Sequence, residues 1–268
     1  MKKKVVIWDL DDTIVPFLPK LLDVYNARYN DNLQLSDITE WDMSKFVKPE
    51  CGQKIYDIFK GPYFFSELGI IEGAKKAVML LNHTMKTYFC SYASGNANVV
   101  AGKYIWIERE FPSLGVDRLW VGKDKGLMNG DYMIDDGPHN LDAFQATNPT
   151  AVCILMDKPH NHRETKYLRA KNPMQATEII LDIEDGRLGR IVHEFFDRYL
   201  ADVGHDRIYV DKLNCSRIGD IEWIYIHNFR QLINMQRKLE EIESTPSKSP
   251  NQIQTMWERS IELGGNTV

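Results

Sequence analysis

The chain has 268 residues, a formal net charge of −5 at pH 7 and 43% hydrophobic residues. This length suits one large domain or one domain with an appendage. The negative charge excludes a global basic field that would gather nucleic acid or an anionic membrane, and no stretch approaches the ~20 apolar residues of a membrane span. The four cysteines are scattered without a CxxC pair, which favours reduced thiols and a cytoplasmic location.

The first predicted strand runs straight into an acidic cluster. Residues 5–8 form a short apolar run, typical of a strand buried in a parallel sheet, and Asp9, Asp11 and Asp12 follow it. On an extended backbone Asp9 and Asp11 project the same way. Because two adjacent carboxylates repel each other unless a cation or proton intervenes, the pair favours a Mg²⁺ site with one carboxylate free to act on a phosphate. The alternative is a solvated acidic turn.

The next segment predicts a helix followed by an insertion. Apolar residues at helical spacing predict a helix over residues 17–29. Residues 30–70 are rich in aromatics, and we interpret them as a small helical cap over the end of the first strand. Such a cap would exclude water and offer stacking surfaces to a ring. Most of its aromatics are expected to fill its own core, with one or both of Phe64 and Phe65 facing a substrate.

The rest of this half alternates helices and strands. Helices are predicted over residues 72–82 and 98–111, and strands over residues 86–91, 119–121, 131–134 and 151–156. This alternation predicts an α/β fold, with a parallel Rossmann-like sheet flanked by helices. Residues 184–268 carry amphipathic helical patterns and are expected to form a helical C-terminal extension.

Chemically useful side chains follow several of these strands. Ser91 ends the second strand, Lys125 lies in the loop after the third, and Asp135 and Asp136 follow the fourth. The carboxyl ends of parallel strands meet at one edge of a sheet, where α/β folds bind ligands. Acids for a metal, with a hydroxyl and an ammonium for phosphate oxygens, indicate phosphoryl transfer.

These motifs resemble those of the haloacid dehalogenase superfamily of phosphohydrolases. The resemblance rests on DLDDT at residues 9–13, the strand-end serine, the lysine, and IDD at residues 134–136. A closer resemblance is to the 5′(3′)-deoxyribonucleotidase family, and it covers about residues 4–183. It is carried by four further stretches, at residues 63–68, 72–74, 103–106 and 125–136.

The resemblance implies two catalytic residues. Asp9 would attack phosphorus and form an aspartyl-phosphate. Asp11 would protonate the leaving nucleoside oxygen and then activate the water that cleaves the intermediate. The implied substrate is a nucleoside monophosphate; a sugar phosphate or another small phosphoester is an alternative, and so is a non-catalytic module that binds metal and phosphate.

The resemblance also implies the ligands of metal and phosphate. Mg²⁺ would be held by Asp9, the backbone carbonyl of Asp11 and one of the pair Asp135 and Asp136, with Asp136 favoured by spacing. Phosphate oxygens would be bound by Ser91 and Lys125, while Ser94 could share or replace the role of Ser91. The segment His160-Asn161-His162 has alternate histidines, but we interpret it as a polar loop because it lacks acidic or thiol partners.

Two domains are expected: a phosphatase domain over residues 1–183, with its cap at about 17–80, and the extension over residues 184–268. Within the extension, residues 218–242 carry apolar residues at spacings of three and four. This helix could pair with a second copy and form a homodimer. The alternative is packing on the catalytic domain or on the helix predicted over residues 188–200.

Overall fold

The computed structural model describes residues 3–185. The chain divides into two compact units, and the described part of the first comprises residues 3–164 and 170–174. The described part of the second comprises residues 165–169 and 175–185. The helix predicted over residues 218–242, and the homodimer inferred from it, lie outside the described residues. In the described part, no helix is long and apolar enough to cross a membrane.

Six strands form one sheet, as the predicted α/β fold requires. They are β1 (Val5–Asp9), β2 (Lys86–Ser91), β3 (Leu119–Val121), β4 (Tyr132–Asp135), β5 (Val152–Met156) and β6 (Leu168–Ala170). Their order is β3-β2-β1-β4-β5-β6, and the pairings from β3 to β5 are all parallel. β1 is therefore central: Asp9 is in register with Cys90, and Trp8 with Ile134. The apolar run of β1 is buried because neighbours cover both its faces.

Helices connect these strands. They are α1 (Phe17–Tyr29), α2 (Ala74–Thr84), α3 (Ala97–Glu110), α4 (Pro138–Thr147) and α5 (Pro173–Glu184). α3 begins where the Asn96 side chain accepts hydrogen bonds from two backbone N–H groups of the first turn, those of Asn98 and Val99. α4 begins with Pro138, whose missing N–H is no loss at this position. The three helices predicted within the described residues, over 17–29, 72–82 and 98–111, form within one or two residues of their expected ends, whereas α4 and α5 were not predicted.

The segment between α1 and α2 contains three 3₁₀ helices, at Leu35–Asp37, Met43–Lys45 and Gly52–Lys60. A small polar network fixes its start. The Tyr25 hydroxyl donates to Asp31 Oδ2 at 2.5 Å and accepts from the backbone N–H of Lys48. The Lys48 ammonium in turn donates to the carbonyl oxygens of Tyr29 and Asn30. These bonds tie the insertion to the end of α1.

Candidate active site

The carboxyl ends of β1 and β4 meet around one lysine. Lys125 Nζ donates to Asp9 Oδ1 and to Asp135 Oδ2, each at 2.5 Å, and all three residues are buried. Cys90 Sγ belongs to the same cluster, since ligand atoms of Asp9, Cys90 and Asp135 lie within 4.8 Å of one another. Burial raises the pKa of the Cys90 thiol, which keeps it neutral. The Lys125 ammonium therefore already lies between the Asp9 and Asp135 carboxylates.

Asp135 and Asp136 are adjacent in sequence but occupy different environments. Asp135 Oδ2 accepts from Lys125, and its Oδ1 accepts from Gly137 N at 2.8 Å and Asn140 Nδ2 at 3.0 Å. Both oxygens of Asp135 are therefore taken by donors of the protein. Asp136, in contrast, lines a cavity at the strand ends. Its Oδ2 lies 3.1 Å from His160 Nε2.

The turn after β1 positions Asp11 and Asp12. Asp12 adopts a left-handed backbone conformation with φ 54°. Its N–H donates to the carbonyl of Val15, and its carboxylate accepts from the N–H of Leu18 in the first turn of α1. The turn is thus stabilised by its own backbone hydrogen bond, and the Asp12 carboxylate satisfies an N–H group in the first turn of α1. Its neighbour Asp11 projects to the cavity wall.

The acids of this edge carry an excess of negative charge. Burial raises the pKa of Asp9 well above its ordinary value, and the nearby Asp135, Asp11 and Asp136 add to that increase, while the Lys125 ammonium opposes it. Burial and Asp136 likewise raise the pKa of Asp12. Like charges in one buried site repel each other. The cluster therefore favours an additional cation.

Asp11 contacts a residue that the sequence analysis did not assign to the site. Lys103 Nζ, on α3, donates to Asp11 Oδ2 at 2.5 Å and to Ser91 Oγ at 2.5 Å. Ser91 is fully buried, and its hydroxyl lies against this ammonium. The other carboxylate oxygen, Asp11 Oδ1, is buried and has no hydrogen-bond partner among the described residues.

A cavity of about 260 Å³ opens above these groups. Its lining combines acids, Lys125 and a wall of apolar and aromatic side chains: Asp9, Asp11, Asp12, Phe17, Leu18, Ile38, Glu40, Trp41, Met43, Tyr56, Phe59, Phe65, Tyr92, Ser94, Lys125, Asp136, Asn140 and His160. A charged floor under an apolar wall suits a ligand with an anionic end and a flat ring.

This lining separates pairs of residues that the sequence analysis grouped together. Phe65 lines the cavity, whereas Phe64 does not and packs against Phe17, Phe59 and Phe65. The prediction that Phe64 faces a substrate is therefore corrected: its ring fills the core of the aromatic cluster.

The strand-end serines differ in the same way, since Ser94 lines the cavity and Ser91 lies behind Lys103. Ser94 has a left-handed backbone with φ 48°, which turns the chain immediately after β2. The hydroxyl predicted at the cavity wall is therefore that of Ser94, while Ser91 reaches the site through the ammonium that it contacts.

The structure gives the polar loop at residues 160–162 an acidic neighbour that the sequence did not reveal, since His160 lies beside Asp136. Asn161 Nδ2 donates to the carbonyls of Asp136 and Met156, both at 2.8 Å, and so fixes this loop beside β4. His160 then lies against Asp136, and its ring packs edge-on to Trp41 at 5.2 Å. The only signal in the sequence was a histidine shortly after β5, which by itself is common.

Comparisons with known proteins match the part of the chain that carries these residues. Residues 3–185 match the family described as 5′ nucleotidase, deoxy (pyrimidine), cytosolic type C protein. A 5′(3′)-deoxyribonucleotidase of Clostridium acetobutylicum is 35% identical over 185 residues, which are 69% of this chain and 99% of that protein. A 5′(3′)-deoxyribonucleotidase of Bacillus subtilis is 27% identical over 173 residues, covering 63% of this chain and 94% of that one.

A solved haloacid dehalogenase-like family hydrolase from Xanthomonas campestris has 15% sequence identity and a TM-score of 0.43, and the match covers 69% of this chain and 99% of that one. The match over residues 3–185 takes in β1 to β5 and every side chain of the site described above. On this evidence the chain is an enzyme, and it belongs to the family of the 5′ nucleotidase, deoxy (pyrimidine), cytosolic type C proteins.

Proposed function

We propose that this enzyme is a Mg²⁺-dependent phosphomonoesterase that hydrolyses (deoxy)ribonucleoside monophosphates through an aspartyl-phosphate. The observation that carries the proposal is the position of Asp9: its carboxylate is held by Lys125 on the floor of a cavity whose walls are aromatic. A nucleophile, a cation beside it and a surface for a flat ring are the parts that a nucleotidase needs.

In the proposed first step, an Asp9 carboxylate oxygen attacks phosphorus and the bond from phosphorus to the ester oxygen of the nucleoside breaks. Asp11 supplies the proton that the leaving oxygen takes up. In the second step, Asp11 accepts a proton from water, the water oxygen bonds to phosphorus, and the acyl-phosphate bond breaks to restore Asp9. One carboxyl group serves both steps because it ends the first as a base.

Lys125 has two functions in this scheme. Its ammonium offsets the repulsion between Asp9 and the incoming phosphate, and it opposes the increase in the Asp9 pKa that burial causes. Ser94, on the cavity wall, is placed to donate a hydrogen bond to a phosphoryl oxygen. Ser91, which is fully buried and absent from the cavity lining, is not proposed as a direct phosphate ligand; it acts on the site through the Lys103 ammonium that it contacts.

The donor set fits Mg²⁺, which prefers carboxylate and carbonyl oxygens. Asp9, Asp11 and Asp136 all line the cavity, and one carboxylate oxygen of Asp11 has no hydrogen-bond partner among the described residues. We assign the ion to Asp9, Asp136 and Asp11, with the backbone carbonyl as the ligand from Asp11. Asp135 is assigned to Lys125 instead, because both of its oxygens are already bonded. When bound, the ion would neutralise charge on the phosphate and on these acids.

We assign the apolar wall of the cavity as the surface that binds the nucleoside of the substrate. Phe65, Phe59 and Phe17 lie on one part of it, while Trp41 and Tyr92 are half-exposed at 51% and 48%. Aromatic faces stack on any base and do not require a particular hydrogen-bond pattern. A cytoplasmic location is part of the same proposal and agrees with the buried, reduced thiols of Cys51 and Cys90.

A panel of phosphomonoesters tests the substrate class. The enzyme is given dTMP and dUMP with the phosphate at the 5′ or 3′ position, and glucose 6-phosphate, each with Mg²⁺ or with EDTA. We expect turnover of nucleotides, little turnover of the sugar phosphate, and loss of activity in EDTA that added Mg²⁺ reverses. Equal rates on the sugar phosphate would remove the nucleotide assignment, and full activity in EDTA would remove the metal.

A further inference from the structure

Lys103 is a buried cation for which the proposed reaction steps give no direct task. Only 1% of its side chain is exposed. Its ammonium contacts Asp11 Oδ2, Ser91 Oγ and the ring of Phe65, whose centroid lies 4.3 Å away. A buried ammonium costs several kcal/mol unless such partners compensate it, so its retention in this place calls for a function.

The packing of α3 sets the position of Lys103. A Cβ atom added at Gly102 would lie 2.8 Å from Phe65 Cβ and 3.2 Å from Ser66 N, so only glycine lets the helix approach this closely. One turn further on, Trp106 Nε1 donates to the carbonyls of Leu68 and Gly69. The helix is thus held against the chain on both sides of Lys103, and its ammonium has a fixed place.

The three contacts match the three N–H donors of an ammonium. Two point to oxygens and the third side faces an aromatic ring, which attracts a cation. Lys125 lines the cavity, but Lys103 does not. In this arrangement Lys103 has no donor left for a phosphoryl oxygen. It can therefore affect the reaction only through its contact with Asp11.

We infer that Lys103 is a positioning residue that holds the Asp11 carboxyl group for proton transfer to the leaving oxygen. By binding Oδ2, it restricts rotation of the Asp11 side chain and so fixes the carboxyl group at the cavity wall. Ser91, at the end of β2, accepts from the same ammonium, so two other segments of the fold position Asp11 in the turn after β1. This inference rests on the proposed function, because it takes Asp11 as the acid.

The test compares two leaving groups. The alkoxide that leaves a nucleoside monophosphate needs a proton, whereas p-nitrophenolate leaves without one. For Lys103→Met, which fills the same volume beside Phe65, we expect kcat/KM on dTMP to fall by about 10²-fold, within the range of a general acid. On p-nitrophenyl phosphate we expect a loss of less than about threefold. Lys76→Met, on the exposed side of α2, is the matched control and should change neither value.

Restoring the ammonium provides a second test that does not depend on Lys103→Met folding. Lys103→Cys is made in a chain whose four native cysteines are replaced by alanine, so that 2-bromoethylamine attaches an aminoethyl group only at residue 103 before the protein is refolded. The same cysteine-free chain with Lys103 intact, carried through the same treatment, is the reference. We expect turnover of dTMP to return to at least about half of the value of this reference.

The outcomes separate this inference from the proposed function. An equal loss on both substrates would show that Lys103 binds the phosphoryl group, and no loss on dTMP would show that it is only structural; either result overturns the inference while the nucleotidase activity stands. Failure of the aminoethyl group to restore a loss on dTMP would also overturn it. A wild-type enzyme that hydrolyses neither substrate would refute the proposed function, and the inference with it.

Discussion

Lys125 Nζ lies 2.5 Å from Asp9 Oδ1, although 116 residues separate the two along the chain. The parallel sheet produces this contact, because it brings the end of β1 and the loop after β3 to the same edge. The contact places a cation beside the acid that is proposed to attack phosphorus. It also offsets part of the increase in the Asp9 pKa that burial and the neighbouring carboxylates cause.

Replacing Asp9 tests the covalent mechanism. Asp9→Asn keeps an oxygen to accept from Lys125 but removes the nucleophile, so we expect activity on dTMP to fall to the uncatalysed background with an unchanged circular dichroism spectrum. Acid quenching with ³²P-labelled dTMP should leave label on the wild type and none on the variant. Asp23→Asn, on an exposed face of α1, is the control. Activity that survives in Asp9→Asn would show that the mechanism is wrong.

Asp12 should make the stability of the metal-free protein depend on pH. Because its folded pKa is raised, the folded protein holds a proton that the unfolded chain releases, and stability falls as the pH rises above the ordinary carboxyl value. Asp12→Asn removes this loss, and asparagine also tolerates the left-handed φ. In EDTA at pH 7 we expect it to be more stable by about 0.5–2 kcal/mol.

Urea unfolding in EDTA at pH 5 and pH 7 measures this effect. The advantage of Asp12→Asn should shrink toward pH 5, because the wild-type carboxyl then keeps its proton in the folded state. His139 has a lowered folded pKa and changes stability in the opposite direction, but it does so equally in both proteins and cancels in the comparison. An advantage that grows toward low pH would contradict the assignment.

Gly102 should not tolerate a side chain. In Gly102→Ala the new methyl group would meet Phe65 Cβ at 2.8 Å, and the strain should exceed the ~1 kcal/mol gain in helix propensity. We expect a net loss of about 1–2 kcal/mol of unfolding free energy, with reduced turnover because Phe65 and Lys103 shift. In Gly61→Ala the methyl group would meet only Ile58 O, at 3.9 Å, so that control should be neutral in thermal unfolding and activity.

Trp41 should contribute to nucleoside binding. Its ring lines the cavity, is half-exposed and is fixed edge-on against His139 at 4.6 Å. Trp41→Ala should raise the KM for dTMP by about tenfold, the scale of one stacking contact, with a smaller change in kcat. Tyr63→Ala removes an exposed aromatic that is not part of the lining and should leave KM unchanged. An unchanged KM for Trp41→Ala would place the nucleoside elsewhere.

The chain beyond residue 185 is expected to be dispensable for chemistry. The relative from Clostridium acetobutylicum aligns over 99% of its own length with 185 residues of this chain, so the catalytic part alone corresponds to a whole protein there. Deleting residues 186–268 should preserve turnover of dTMP and change solubility or assembly, as measured by light scattering. A truncated protein with unchanged assembly and no activity would contradict this.

The sequence by itself determined the order of β1 to β5 and of α1 to α3, and which acids follow which strand, but it did not predict α4, α5 or β6. An apolar run such as residues 5–8 is a local signal, and two strands were predicted with the bounds that they have. Because parallel strands share one edge, that order was enough to bring Asp9, Lys125 and Asp135 together. The resemblance to a deoxyribonucleotidase family rested on the same local motifs and was confirmed.

Only the tertiary structure decided which contacts each of two neighbouring side chains makes. Asp135 bonds to Lys125 while Asp136 lines the cavity, and Phe65 faces the cavity while Phe64 packs in the aromatic cluster. Lys103 is part of the site because Gly102 lets α3 pack closely against the segment that contains Phe65. These differences depend on contacts between segments tens of residues apart, and such contacts leave no periodic pattern in the sequence.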